Sequence, residues 1–140
     1  MNKNTIEIVK STAPLLKERG EEITKAMYPI LFEKYPEVKE LFKNSKPHQH
    51  KKLASAIYAY ASNIDNLEAL SGAINVMVST HVKTNVQPKH YPMVEDALLT
   101  AIVNVLGESV ATPTVIDAWR EAYRFLADVL IKEEQKEYNK

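Results

Sequence analysis

Apolar residues return every three or four positions along almost the whole chain, and nowhere do they settle into alternation. A three-four rhythm puts side chains on one face of an α-helix, whereas a strand needs a period of two. The pairs that close hairpins, Asn-Gly and Asp-Gly, are also missing. The chain therefore reads as all-α, with about seven helices and mostly short connections.

Punctuation places the helices. Ile6, Val9, Ala13 and Leu16 mark a first helix from about Asn4 to Arg19, with Gly20 as its natural stop. Ile23, Met27, Ile30 and Leu31 mark a second from about Glu21 to Lys34, bent locally by Pro29. Pro36 opens a short third ending near Phe42, and residues 43–48 read as a loop. A fourth helix runs from near Pro47 to Ser62 and a fifth from about Leu67 to Lys83. Pro88 opens a sixth ending near Leu106, and Pro113 a last one reaching about Lys136.

Composition closes off several function classes. A chain of 140 residues holds one domain with one core and one pocket. Eighteen basic residues balance eighteen acidic ones, so net charge gives no sign of a nucleic-acid partner. Cysteine is absent, which removes disulfides, thiolate metal sites and cysteine nucleophiles. The three glycines are scattered, so no phosphate-cradling loop exists. No apolar run approaches the ~18 residues of a membrane span, and the N-terminus lacks the apolar stretch of a signal peptide. A cytoplasmic location is the expectation.

The informative residues are polar ones on apolar stripes. Leu67, Leu70, Ile74 and Met77 set a rhythm whose next position is His81. Such a histidine is either a buried side chain bonded to backbone or a ligand for iron or zinc. Gln49 extends the Leu53 and Ile57 face, so it either reaches solvent or offers its amide to a bound ligand. Glu134 lies one turn past Leu130 on the last helix, either solvated or placed to accept the second N–H of a ligating histidine. Tyr28 and Tyr91 are amphipathic core residues or hydrogen-bond donors in a site, and Phe42 reads as a core anchor. His48 and His50 flank Gln49 and face different ways on a helix, a poor two-ligand pair. His90 sits in a polar turn and reads as surface.

Four blocks, YPILFEKYPEVKELF, AIYAYASNIDNLEAL, THVKTNVQPKHYPMVEDALL and IDAWREAYRFLADVLI, occur in an order that resembles the globins. The likeness is to single-domain bacterial haemoglobins and to the globin domain of flavohaemoglobins, and it covers essentially all of residues 1–140. The resemblance implies a globin fold around haem b (iron protoporphyrin IX). It makes His81 the iron ligand and places Phe42 and Leu53 against the haem. It gives the chemistry to Tyr28 and Gln49 on the gas side and to Tyr91 and Glu134 behind the ligand histidine. His48 or His50 is the alternative occupant of the distal place taken by Gln49. The implied ligands are O2, NO and CO at an open sixth iron position. The implied activity is nitric oxide dioxygenase chemistry, detoxifying NO to nitrate. No reductase domain follows the last helix, so the electron donor would be a separate reductase. Oxygen delivery, storage or sensing is the alternative, and a non-haem helical interaction module the remote one.

Overall fold

The computed structural model describes residues 1–42 and 49–139, with the side chain of Gln49 outside that set. The described residues form five α-helices and two 3-10 helices, with no strand among them. Helix α1 spans Lys3–Lys34 and is followed by a 3-10 helix at Pro36–Phe42. Helix α2 spans Gln49–Ser62, a second 3-10 helix covers Leu67–Leu70, and α3 spans Ser71–Lys83. Helices α4, His90–Leu106, and α5, Pro113–Tyr138, complete the chain.

The first two expected helices are one. Gly20 does not end α1, and Pro14 and Pro29 both lie inside it. A stripe of Val9, Ala13, Leu16, Gly20, Ile23, Met27 and Leu31 runs unbroken along the buried face. Burying that stripe outweighs the roughly 1 kcal/mol that a mid-helix glycine costs. Gly20 is also where α2 crosses. A Cβ added there would stand 3.3 Å from Ala54 Cβ, so the missing side chain lets the two helices approach closely. The expected fifth helix is likewise two pieces. Leu70 has φ −101° and ψ 4°, off the helical basin, and separates the 3-10 turn from α3.

Helix α1 is the spine and packs on α2, α4 and α5. Its start is capped by Asn2, whose Oδ1 accepts from Thr5 N–H at 2.8 Å. Side-chain hydroxyls then pin the layers. Thr24, fully buried, donates to the His50 carbonyl at 2.9 Å and fixes the entry of α2. Trp119 Nε1 donates to Thr12 Oγ1 at 2.9 Å, and Tyr60 donates to the Ala122 carbonyl at 2.7 Å. Each joins elements distant in sequence while satisfying a polar atom inside the core.

The apolar interior falls into two clusters. The larger joins α1, α2, α4 and the first half of α5. The smaller surrounds Val78, Tyr91, Ala127 and Leu130, and Tyr123 and Leu126 touch both. Helix α3 packs chiefly on α5 and α2 chiefly on α1, with sparse contact between α2 and α3. Val78 is the buried residue of α3, at 7% exposure, and Val76 is 67% exposed. An apolar cavity of about 70 Å³ lies between α2 and α3, walled by Ala56, Ala59, Tyr60, Ile74, Met77 and Leu126.

Candidate functional site

Three separate segments converge on one carboxylate. His81 stands in the last turn of α3, Tyr91 in the first turn of α4, and Glu134 near the end of α5. His81 Nδ1 lies 2.8 Å from Glu134 Oε2 and 3.0 Å from the Tyr91 hydroxyl. The Tyr91 hydroxyl donates to Glu134 at 2.7 Å and 2.9 Å. Glu134 is 2% exposed, so this carboxylate is buried and its partners are the reason it can be. It reaches the interior because it continues the Leu130 face of α5 by one turn.

Glu134 accepts, so the hydrogen of neutral His81 sits on Nδ1. The other ring nitrogen, Nε2, then keeps a free lone pair, and it makes no hydrogen bond among the described residues. The imidazole side chain stays 30% exposed on the side away from the carboxylate. Burial first, then the hydrogen bond and charge of Glu134, push the Tyr91 phenol far above its ordinary value. Tyr91 therefore remains a donor at any working pH. Tyr123 donates to the Tyr91 carbonyl at 2.8 Å and holds that turn of α4 against α5.

A second group of candidate residues is aromatic. Tyr28 of α1 meets Phe42 edge-on, with centroids 5.4 Å apart, and lies 5.9 Å from Phe32. Phe32 and Phe42 are 5.6 Å apart, closing a three-ring cluster. Leu53, half-buried on α2, packs on the same large core as these rings. Burial pushes the Tyr28 phenol up to about 12. Its hydroxyl makes no hydrogen bond among the described residues.

The structure thus joins His81, Tyr91 and Glu134 by hydrogen bonds, and Tyr28 and Phe42 by ring contact. The backbone of Gln49 opens α2, but its side chain and all of His48 lie outside the described residues. His90 is not on the surface as its polar turn suggested. It is 7% exposed, and its Nδ1 accepts the Gln87 N–H at 2.9 Å. Sequence reasoning also passed over Tyr138, whose hydroxyl donates to the Val86 carbonyl at 2.7 Å. Its spacing of four from Glu134 was the signal, since that places both on one face of α5.

The donor set limits what can bind. Among the described residues no group of three or more His, Cys, Asp or Glu side chains could hold a bare metal ion. One oriented imidazole suits a metal that brings its own equatorial ligands in a flat, largely apolar frame. The apolar side chains of α2 and α3 that wall the small cavity, Ala56, Ala59, Ile74 and Met77, are of the kind such a plate would meet.

Comparison with known proteins agrees with this architecture. The globin family profile matches residues 25–130. An uncharacterised globin-like protein of Aquifex aeolicus is 51% identical over 99% of this chain and 98% of its own length. A flavohemoprotein of Oceanobacillus iheyensis is 44% identical over 99% of this chain, which spans only 35% of that longer protein. Among solved structures, an engineered carbene transferase, made from a candidate nitric oxide dioxygenase of Rhodothermus marinus, superposes with a TM-score of 0.94. It is 43% identical and is matched over 99% of this chain and 96% of its own. With the profile covering most of its length and a relative of equal extent sharing half its residues, this chain belongs to the globin family.

Proposed function

We propose that this globin binds haem b between α2 and α3 and turns NO and O2 into nitrate. The observation that carries the reading is the His81–Tyr91–Glu134 cluster, which orients one imidazole and leaves Nε2 free. His81 would hold the iron, and Phe42 and Leu53 would contact the haem. When bound, haem supplies an iron with one position open to diatomic gases and able to pass single electrons.

The protein's part is orientation and polarity. Glu134 draws on the Nδ1 hydrogen of His81 and makes the imidazole a stronger electron donor. Tyr91 gives that carboxylate a second donor and keeps it from turning away. Tyr28, with Gln49 beside it, would donate to the partly negative end of a gas ligand. The apolar residues between α2 and α3 exclude water, which strengthens each of these contacts. The overall change combines one NO, one O2 and one electron into nitrate. Residues 1–140 would act as one globin domain, and the proposed source of that electron is a separate cytoplasmic reductase. The likeness to the Rhodothermus protein and to the globin part of a flavohemoprotein supports this activity. No helix of the described residues is long and apolar enough to cross a membrane.

The test begins with visible spectra of the purified protein: ferric, reduced, and reduced with CO. A histidine-ligated CO spectrum is expected. No bound haem, and no change on adding haemin, would overturn the proposal. NO added to the reduced protein under O2 should then yield stoichiometric nitrate, with sustained turnover on a cellular reductant. Fast O2 release without turnover would assign the site to oxygen delivery instead.

Tyr28→Phe should raise the O2 dissociation rate by roughly tenfold, since a donor to a charged acceptor is lost. Stopped-flow displacement by CO measures this, and an unchanged rate would give control of the gas side to Gln49 or a neighbouring histidine. The rate for the unsubstituted protein should stay flat to about pH 11. A phenol donates only while protonated, and burial keeps Tyr28 protonated to about 12 rather than 10.

A further inference from the structure

The segment between α3 and α4 is tied down at three points, and one tie comes from the far end of the chain. Asn85 adopts a left-handed φ of 63°, unusual for a residue with a side chain. It does so to close α3 with a paired cap. Val86 N–H donates to the His81 carbonyl at 2.9 Å, and Asn85 N–H donates to the Val82 carbonyl at 3.1 Å. These are the two hydrogen bonds of a Schellman motif. The bond that spans more residues ends on the carbonyl of His81 itself.

Val86 is held at its carbonyl end too, in the next peptide unit. Tyr138, in the last turn of α5, donates its hydroxyl to the Val86 carbonyl at 2.7 Å. One residue on, Gln87 N–H donates to the buried His90 Nδ1 at 2.9 Å. Burial, with the nearby Glu134 charge adding to it, raises the Tyr138 phenol above its ordinary value, so it persists as a donor. Glu134 and Tyr138 are one turn apart on α5. That single helix face therefore grips His81 twice, through its ring and through the residue, Val86, whose N–H caps its backbone.

We infer that Tyr138 is a positioning residue for His81, fixing the backbone of the imidazole that Glu134 fixes by its ring. The inference rests on the haem-ligand reading of His81. Without the Tyr138 bond, the 86–87 peptide keeps only its Gln87–His90 bond, Val86 is less firmly placed and the cap on the His81 carbonyl loosens. The ring then pivots about its Glu134 contact, and Nε2 no longer points along one fixed direction. Two anchors at different distances from the ring restrict tilt, which one anchor cannot do.

The experiment compares Tyr138→Phe with the unsubstituted protein and with Lys132→Ala, an exposed change on the same helix. Amide hydrogen exchange reports on the apo and the haem-loaded forms. Resonance Raman of the reduced, gas-free protein reports the iron–histidine stretch. Tyr138→Phe should speed exchange at Val86 and Gln87 by roughly fivefold, the loss of one ordinary hydrogen bond. It should also shift or broaden the iron–histidine band and raise the rate of haem loss. Lys132→Ala should do none of these. Normal haem uptake with an unchanged band and unchanged exchange at Val86 would overturn the inference while leaving the haem reading intact. Faster exchange with an unmoved band would reduce Tyr138 to a fold-stabilising contact and overturn it also. Failure of the unsubstituted protein to take up haem would remove the functional reading first and this inference with it.

Discussion

Replacing His81 with alanine should leave a folded helical protein that retains no stoichiometric haem. Among the described residues, His81 is the imidazole that gives its Nδ1 hydrogen to a carboxylate and leaves Nε2 for a metal, whereas His90 accepts at Nδ1, and no cluster there offers a substitute. The cost to the fold should be small, about 1–2 kcal/mol, because Glu134 keeps both contacts from Tyr91 and the histidine was already part-exposed. Haem content by the pyridine haemochrome method, read beside the circular dichroism melt, checks both halves. A His81→Ala protein that stays red and binds CO normally would move the iron to another histidine. One that fails to fold would make His81 a structural residue.

Glu134→Ala should have the largest effect on stability. It removes a buried acceptor from two donors at once, the Tyr91 hydroxyl and His81 Nδ1, and opens a cavity near Leu130. The expected loss is about 3 kcal/mol, a fall of roughly 10 °C in Tm for a domain of this size. Glu134→Gln separates shape from charge. Glutamine keeps the volume and one acceptor oxygen, so most of the stability should return. The negative charge behind the imidazole does not return. The iron–histidine stretch should drop and nitrate production should slow, even where haem content is normal. Equal activity in Glu134→Gln and the unsubstituted protein would show that the carboxylate orients His81 without tuning it.

The stripe logic carried much of the fold into view. His81 at the end of the α3 rhythm and Glu134 one turn past Leu130 are both legible as polar residues on apolar faces, and those two meet. What spacing did not show was that they meet each other, since 53 residues separate them and only packing of α3 on α5 unites them. The misreadings share a cause. Gly20 looked like a stop because local propensity was weighed alone, yet the buried stripe runs through it and α2 needs the space. His90 looked exposed because its neighbours are polar, yet a backbone N–H three residues earlier draws it inward. Tyr138 was hidden in a charge-rich terminal segment whose exposed charges say nothing about its other face. Gln49 remains a proposal of the resemblance, because its side chain lies outside the described residues.

The sparse contact between α2 and α3 has a consequence for how the apoprotein lives. Helix α3 has one buried residue against nine on α1, so it should open at lower free energy than the α1 spine unfolds. Proteases cut what opens. A ligand that bridges α2 and α3 closes that weak point in proportion to its concentration over its dissociation constant. The half-life of this globin would then track the supply of its cofactor, with unfilled copies cleared first and no regulator required.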